Sequence, residues 1–260
     1  MSFYPTDVER RLREEAAQII ARYPAGHERS ALLPMLHLVQ SEDGYVSAAG
    51  VGLCADILGI TRAEVSAVAT FYTQYKRRPN GTYTVGVCTN AMCAVMGGDA
   101  IFETLEHELG IGHEETTEDG KITLEALECN AACDYAPVIM VNWEFFDNQT
   151  PASALQLVED IRADRPIRPT RGPDVCPTFK EASHILAGFP DVESANQGVS
   201  AGEPTLLGLS VARERGFDET LVMNREGGAG TNTGEVEAAG TKPVGHEQSS
   251  AERKSKEAQK

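Results

Sequence analysis

Apolar residues recur at helical spacing through the first third of the chain. Val8, Leu12, Ala16 and Ile19 share one face of a segment that Thr6 or Asp7 can cap. It ends before Tyr23-Pro24, since the residue preceding proline avoids the helical region. Ser30 opens a second helix with Leu32, Leu33, Leu36 and Val39 apolar; Pro34 lies early enough to be tolerated, and Asp43-Gly44 breaks it. Ser47 opens a third, which stops at Gly59. Thr61-Arg-Ala-Glu64 is a capping box for a fourth, with Val65, Val68, Ala69 and Tyr72 inward. The short turns predict a compact helical bundle over residues 1–78. His37 is its one notable polar residue on an apolar stretch, and reads as a surface or satisfied histidine rather than a ligand. A packing or docking role suits this region best.

The period then changes. After the linker Arg77 to Gly81, Thr82 to Val87 alternates as a strand does, ending at Cys88. A helix follows from about Asp99 to Leu109, with Ile101, Leu105 and Leu109 inward, stopped by Gly110 and Gly112. Thr116 to Gly120 is a polar turn. Ile122 to Glu128 reads as a strand ending at Cys129, Val138 to Val141 as a buried strand, and Trp143 to Phe146 as its antiparallel neighbour. Thr150-Pro151 starts a last helix through Leu155, Val158 and Ile161. The order strand, helix, three strands, helix predicts a thioredoxin-like α/β domain over 79–164, and an α+β class for the whole chain.

Periodicity is lost after Asp164. Residues 165–173 are too rich in proline for regular structure, and Phe179 to Phe189 offers one short helix. Leu206, Leu207, Leu209 and Val211 are apolar residues without a domain of their own, so 165–260 is expected to be an extended tail that docks on a partner and is then disordered from Glu226.

Composition narrows the function classes. The chain has 260 residues, 41% of them hydrophobic, which is ample for a core. A net charge of −16 disfavours nucleic acid and polybasic membrane anchoring. No run of about 18 apolar residues is present to span a bilayer, and residues 1–13 lack the apolar core of an export signal. A cytoplasmic chain is the expectation. Neither a dinucleotide fingerprint nor a phosphate loop occurs, so no nucleotide site of its own is expected, and no catalytic set stands apart. His107 and His113 read as solvated.

Six cysteines in such a chain suggest metal or redox ligands before disulfides. Four form two tight pairs: Cys88 and Cys93 as C-x4-C, then, after 35 residues, Cys129 and Cys133 as C-x3-C. Each pair sits on one short loop at a strand end, so its two ligands meet at little loop-closure cost. Four-thiolate sites take zinc or an iron–sulfur cluster. Structural zinc loops often read C-x2-C, whereas C-x4-C opens the plant-type 2Fe-2S pattern, which favours the cluster. Small or apolar residues in both loops (Ala91, Met92, Ala94, Val95 and Gly97-Gly98, then Ala131 and Ala132) leave backbone N–H groups free to reach sulfur. The helix starting near Gly98 can aim its positive end at the site. No histidine lies in either loop, against a Rieske centre. Asp134 would lower the potential if it faced inward. Cys54, within an apolar helical pattern, reads as an inert core residue, and Cys176 has no assignable role.

Four stretches together resemble a known family: LLPMLHL from Leu32, EVSAVATFY from Glu64, VCTNAMC from Val87 and CNAACDYAPV from Cys129. The family is the small thioredoxin-like 2Fe-2S subunit of the NADH-oxidising module of respiratory complex I, the E-type subunit of the bacterial enzyme. The resemblance covers about residues 30–164. It implies that Cys88, Cys93, Cys129 and Cys133 ligate a 2Fe-2S cluster. It also implies a partner flavoprotein subunit that binds FMN and NADH, and a place in an NADH:quinone oxidoreductase with other peripheral-arm subunits, at the inner face of the plasma membrane. Asn90, Ala91 and Met92, and Asn130-Ala131, depart from the commoner loop residues without removing a ligand. The alternative within the family is the equivalent subunit of an NAD-linked hydrogenase or formate dehydrogenase. A structural four-cysteine zinc module is the alternative from another class.

Overall fold

The computed structural model describes residues 3–190 and 203–215. The chain divides into two compact units, Met1–Leu206 and Leu207–Lys260. Helices α1 (Thr6–Ile20), α2 (Leu32–Asp43), α3 (Ala48–Leu58) and α4 (Arg62–Phe71) make the N-terminal half. Their inward stripes close on one core that includes Leu12, Ile19, Met35, Leu36, Leu53, Cys54 and Val65. Helix starts fall as expected where a side chain can reach back to the first turn. Ser47 caps α3 by accepting from the Gly50 N–H, and Thr61 with Glu64 forms the expected capping box of α4. The first two helices differ. Pro5, not Thr6 or Asp7, precedes α1, and Ser30 lies inside a 3-10 turn, Glu28–Ala31, that leads directly into α2.

The second half is built on a five-stranded sheet. Its strands are β1 (Tyr83–Cys88), β2 (Glu115–Thr116), β3 (Ile122–Leu127), β4 (Ile139–Val141) and β5 (Glu144–Phe146), in the order β2-β3-β1-β4-β5. β1 and β3 are parallel, with Val85 beside Leu124 and Cys88 beside Leu127. β4 runs antiparallel to β1, and β5 antiparallel to β4. The parallel pair needs a crossover, supplied by α5 (Ala91–Val95) and α6 (Gly98–Leu109). Asn142 and Trp143 turn β4 into β5 with both residues at positive φ, which suits the twist of a tight hairpin. Helix α7 (Pro151–Arg162) begins at a capping box of Thr150 and Ser153 and packs beside α6. Val85, Val87, Ile101, Leu105, Leu124, Ile139 and Val158 form the second core.

Residues 165–190 correct the expectation of a tail starting at 165. They form a strap folded onto both halves. Arg171 makes a two-pronged ion pair with buried Asp147, at 2.8 and 2.9 Å. The Cys176 thiol, which had no sequence-assigned place, is buried and donates to the Val141 carbonyl at 3.3 Å. Asn142 donates to the Pro177 carbonyl, and the Phe179 N–H donates to the Thr82 carbonyl. Helix α8 (Phe179–Leu186), with its own capping box of Thr178 and Glu181, then lies against α2. There Gln40 donates to Ser183 Oγ at 3.3 Å. The strap escapes a periodicity search because Ile167, Cys176 and Phe179 are buried at irregular intervals dictated by the surface beneath them.

Further along, Glu203–Glu214 is a helix, α9, rather than extended chain, and its Leu207 and Val211 are exposed. The expectations for residues 191–202 and 216–260 lie outside the described residues.

Candidate iron–sulfur site

The two cysteine loops leave the sheet side by side. Cys88 is the last residue of β1, its N–H bonded to the Val138 carbonyl, and Thr89 donates to the Leu127 carbonyl of β3. Because β1 and β3 are parallel neighbours, both loops emerge at the same end of the sheet. Asn90 ties them together by donating to Glu128 Oε2 at 2.6 Å, across to the residue before Cys129. Sequence reasoning noted Asn90 only as a departure from commoner loops, since the partner's identity depends on strand register.

The first loop is not a loop throughout. Residues 91–95 wind into the short helix α5, so Ala94, Met96 and Gly97 spend their N–H groups on the carbonyls of Asn90, Met92 and Ala94. These are lost as donors to sulfur, while the Asn90 N–H favours the Cys88 thiolate. In the second loop the Ala131 N–H donates to Cys129 Sγ at 3.3 Å, from a backbone turned to positive φ.

Cys88 and Cys93 are buried, whereas Cys129 and Cys133 are exposed. Cys129 Sγ and Cys133 Sγ are 3.5 Å apart. Tetrahedral ligation with metal–sulfur bonds of about 2.3 Å places sulfurs about 3.8 Å apart, so this pair is already spaced to share one metal atom. Burial pushes the Cys88 thiol up to about 11, and the nearby Cys93 and Cys129 sulfurs add to the shift. Cys133 is raised chiefly by its hydrogen bond with Cys129 and feels Cys88 as well. Each pair thus lies within electrostatic reach of the other. A bound cationic centre would offset these shifts and stabilise the Cys88 and Cys133 thiolates.

The surroundings fit such a group. Ala132, Ala136, Val138 and Met140 pack with Cys88 and Cys93 in a third apolar cluster, bordered by Leu127, Trp143 and Phe145. Helix α6 starts against the first pair: a Cβ added at Gly98 would stand 2.5 Å from the Cys88 carbonyl oxygen and 2.9 Å from that of Cys93. Only glycine lets the helix end approach so closely. Asp134 is exposed, so its charge is screened and its pull on a redox potential small. Met92, Val95 and Met96 are exposed apolar residues around the first pair.

The remaining candidates fall outside the site. Cys54 is buried in the helical core, and burial pushes its thiol up to about 12, which makes it inert as expected. His37 is not a surface histidine. It is buried against Tyr75 and Trp143, its Nδ1 has no hydrogen-bond partner among the described residues, and burial lowers its pKa to about 4. His113 Nδ1 accepts from the Ala126 N–H, and so helps hold the chain beside β3.

Residues 16–162 match the family model of the thioredoxin-like [2Fe-2S] ferredoxins. The chain belongs to this family. Like the rest of these ferredoxins, it is a 2Fe-2S protein by cofactor class. It is 62% identical over 211 residues to the E-type subunit of the NADH-quinone oxidoreductase of Mycobacterium tuberculosis, covering 81% of this chain and 82% of that one. It is 37% identical over 145 residues to the E-type subunit of the Rickettsia prowazekii enzyme, covering 55% of this chain and 82% of the relative. Among solved structures, NAD+-reducing [NiFe]-hydrogenase in the air-oxidized state is 22% identical, covers 52% of this chain and 23% of that one, and gives a TM-score of 0.48. The ferredoxin match ends at the last residue of α7, so the strap and α9 lie beyond it.

Proposed function

We propose that this chain is the one-electron carrier subunit of an NADH-quinone oxidoreductase, with a 2Fe-2S cluster held by Cys88, Cys93, Cys129 and Cys133. Its partner is a flavoprotein subunit carrying FMN and the NADH site, and other peripheral subunits complete the assembly. The observation that carries this reading is that both cysteine pairs leave the same end of the parallel β1–β3 pair. When bound, the cluster accepts and returns a single electron. The chain's own residues hold and shield it. Cys88 and Cys93 are anchored in the core, the apolar cluster limits water on that side, and Cys129 and Cys133 leave the opposite side open to a partner. Among the described residues no helix is long and apolar enough to cross a membrane. Attachment to the inner face of the plasma membrane therefore runs, in this reading, through the rest of the complex.

Iron, acid-labile sulfide and EPR analysis of the purified full chain tests the assignment. Visible charge-transfer bands and a reduced-state EPR signal are expected. Cys→Ala at 88, 93, 129 or 133 should abolish them, and at 54 or 176 should not. A colourless chain with stoichiometric zinc, or a Cys93→Ala variant with full iron, sinks it. Co-purification with the flavoprotein subunit tests the partner.

A further inference from the structure

The four thiols are unequal in a way that ligation alone does not require. One pair is buried, with Cys88 at 3% and Cys93 at 2% exposure; the other is exposed, with its sulfurs 3.5 Å apart. We propose that, before the cluster is inserted, Cys129 and Cys133 form a disulfide-forming site that reacts with small-molecule disulfides, so that loading of the cluster is gated by thiol redox state. This rests on the ligand assignment above.

The chemistry is thiol–disulfide exchange. One exposed thiol of the pair loses its proton and attacks a sulfur of RSSR, forming a mixed disulfide and releasing one RSH. The second thiol, deprotonated in turn, attacks the mixed disulfide at the protein sulfur and releases the second RSH. Two S–H bonds are lost and one S–S bond is made. The protein gives up two electrons and two protons, both taken by RSSR. Exchange needs direct access of the incoming disulfide to the attacking thiol. Cys129 and Cys133 offer that access, and Cys88 and Cys93 do not.

Geometry favours closure within the pair. The sulfurs must approach from 3.5 Å to about 2.05 Å, a short movement on a surface turn. Ala131, at positive φ, folds the chain back between them, and its N–H holds Cys129 Sγ on the side of Cys133. The turn continues through Tyr135, whose N–H bonds the Ala132 carbonyl. Once bridged, two of the four ligands are no longer thiolates, and insertion must await a reductant. In a reducing compartment the bridge is transient, as expected of a sensing disulfide.

The test uses the full-length cluster-free chain and oxidised glutathione, with alkylation and peptide mass mapping. The expected result is loss of two hydrogens, a bridged peptide spanning Cys129 and Cys133, and the other four thiols alkylatable after denaturation. Cys129→Ala should instead retain glutathione on Cys133. Iron and sulfide uptake by the oxidised chain should fall several-fold and return on phosphine reduction. Six persisting thiols, reaction at Cys88 or Cys93, or unimpaired uptake by the oxidised chain overturns the proposal. The pre-reduced chain is loaded in parallel: if it takes zinc and no iron, the ligand assignment fails, whatever the disulfide map shows.

Discussion

Gly98 and His37 show what single residues contribute here. A methyl group at position 98 cannot fit against the Cys88 and Cys93 carbonyls, so Gly98→Ala must push α6 away from the first cysteine pair. We expect reduced cluster content and altered EPR g-values. Gly97→Ala, at a φ of 112° but with open space around its added Cβ, should strain the backbone while leaving the g-values in place. His37 is kept neutral by burial, with its pKa lowered to about 4. The unfolded chain protonates near pH 6.5, so the stability His37 allows is present above that value and lost as the pH falls towards 4. Urea unfolding at pH 7 and pH 5 should show a loss of about 2 kcal/mol from this residue, which His37→Phe removes. An equal pH dependence in that variant would place the effect elsewhere. The two cysteine pairs of the candidate site were legible in the sequence because their signal is local spacing. Gly98's need for a bare Cα and His37's burial were not, because both are imposed by residues distant in sequence.

Elements were legible where their signals lie within a few residues. The capping box at Thr61 satisfies two N–H groups at the helix start, and the strands alternate or run apolar as their burial demands. Helix α5 was not legible because five residues carry no period, nor was β2, whose two residues gain strand character only by pairing with β3. The largest omission is how α8 is used. Its first residue, Phe179, is 1% exposed and meets Trp143 at 5.4 Å, and Trp143 in turn meets His37 at 6.3 Å. The strap therefore closes the seam between the helical half and the sheet. Phe179→Ala should cost about 3–5 kcal/mol by chemical denaturation. Thr178→Ala, which removes only a cap, should cost about 1 kcal/mol. Comparable losses in the two would mean that α8 contributes by its own helicity rather than by packing.

For the whole molecule, the strap moves the edge of the fold. Truncation after Asp164 removes residues that cover both cores, and should lower stability and release cluster. Truncation after Pro190 should do neither. Thermal unfolding and iron content of the two shortened chains check this, and equal stability would restore a boundary at 164. Between the halves, Lys76 Nζ and Glu125 Oε1 pair at 2.5 Å with both side chains mostly buried, while the Gln40 side chain bonds both the Lys76 N–H and Ser183. The thioredoxin-like order was readable because each strand and helix announces itself. The joint between halves was not, because Gln40, Lys76, Glu125 and Ser183 are polar residues whose burial no sequence pattern signals.

The strap also sets an order of events during synthesis. A ribosome adds roughly 5–20 residues per second, so α2 waits on the order of ten seconds before α8 exists to cover it. Both cysteine pairs are made within that interval, while the flank of α2 that receives Ser183 still faces water. The chain thus has all four paired cysteines before its two halves can lock, and a nascent chain stalled near residue 165 would expose that flank to chaperones.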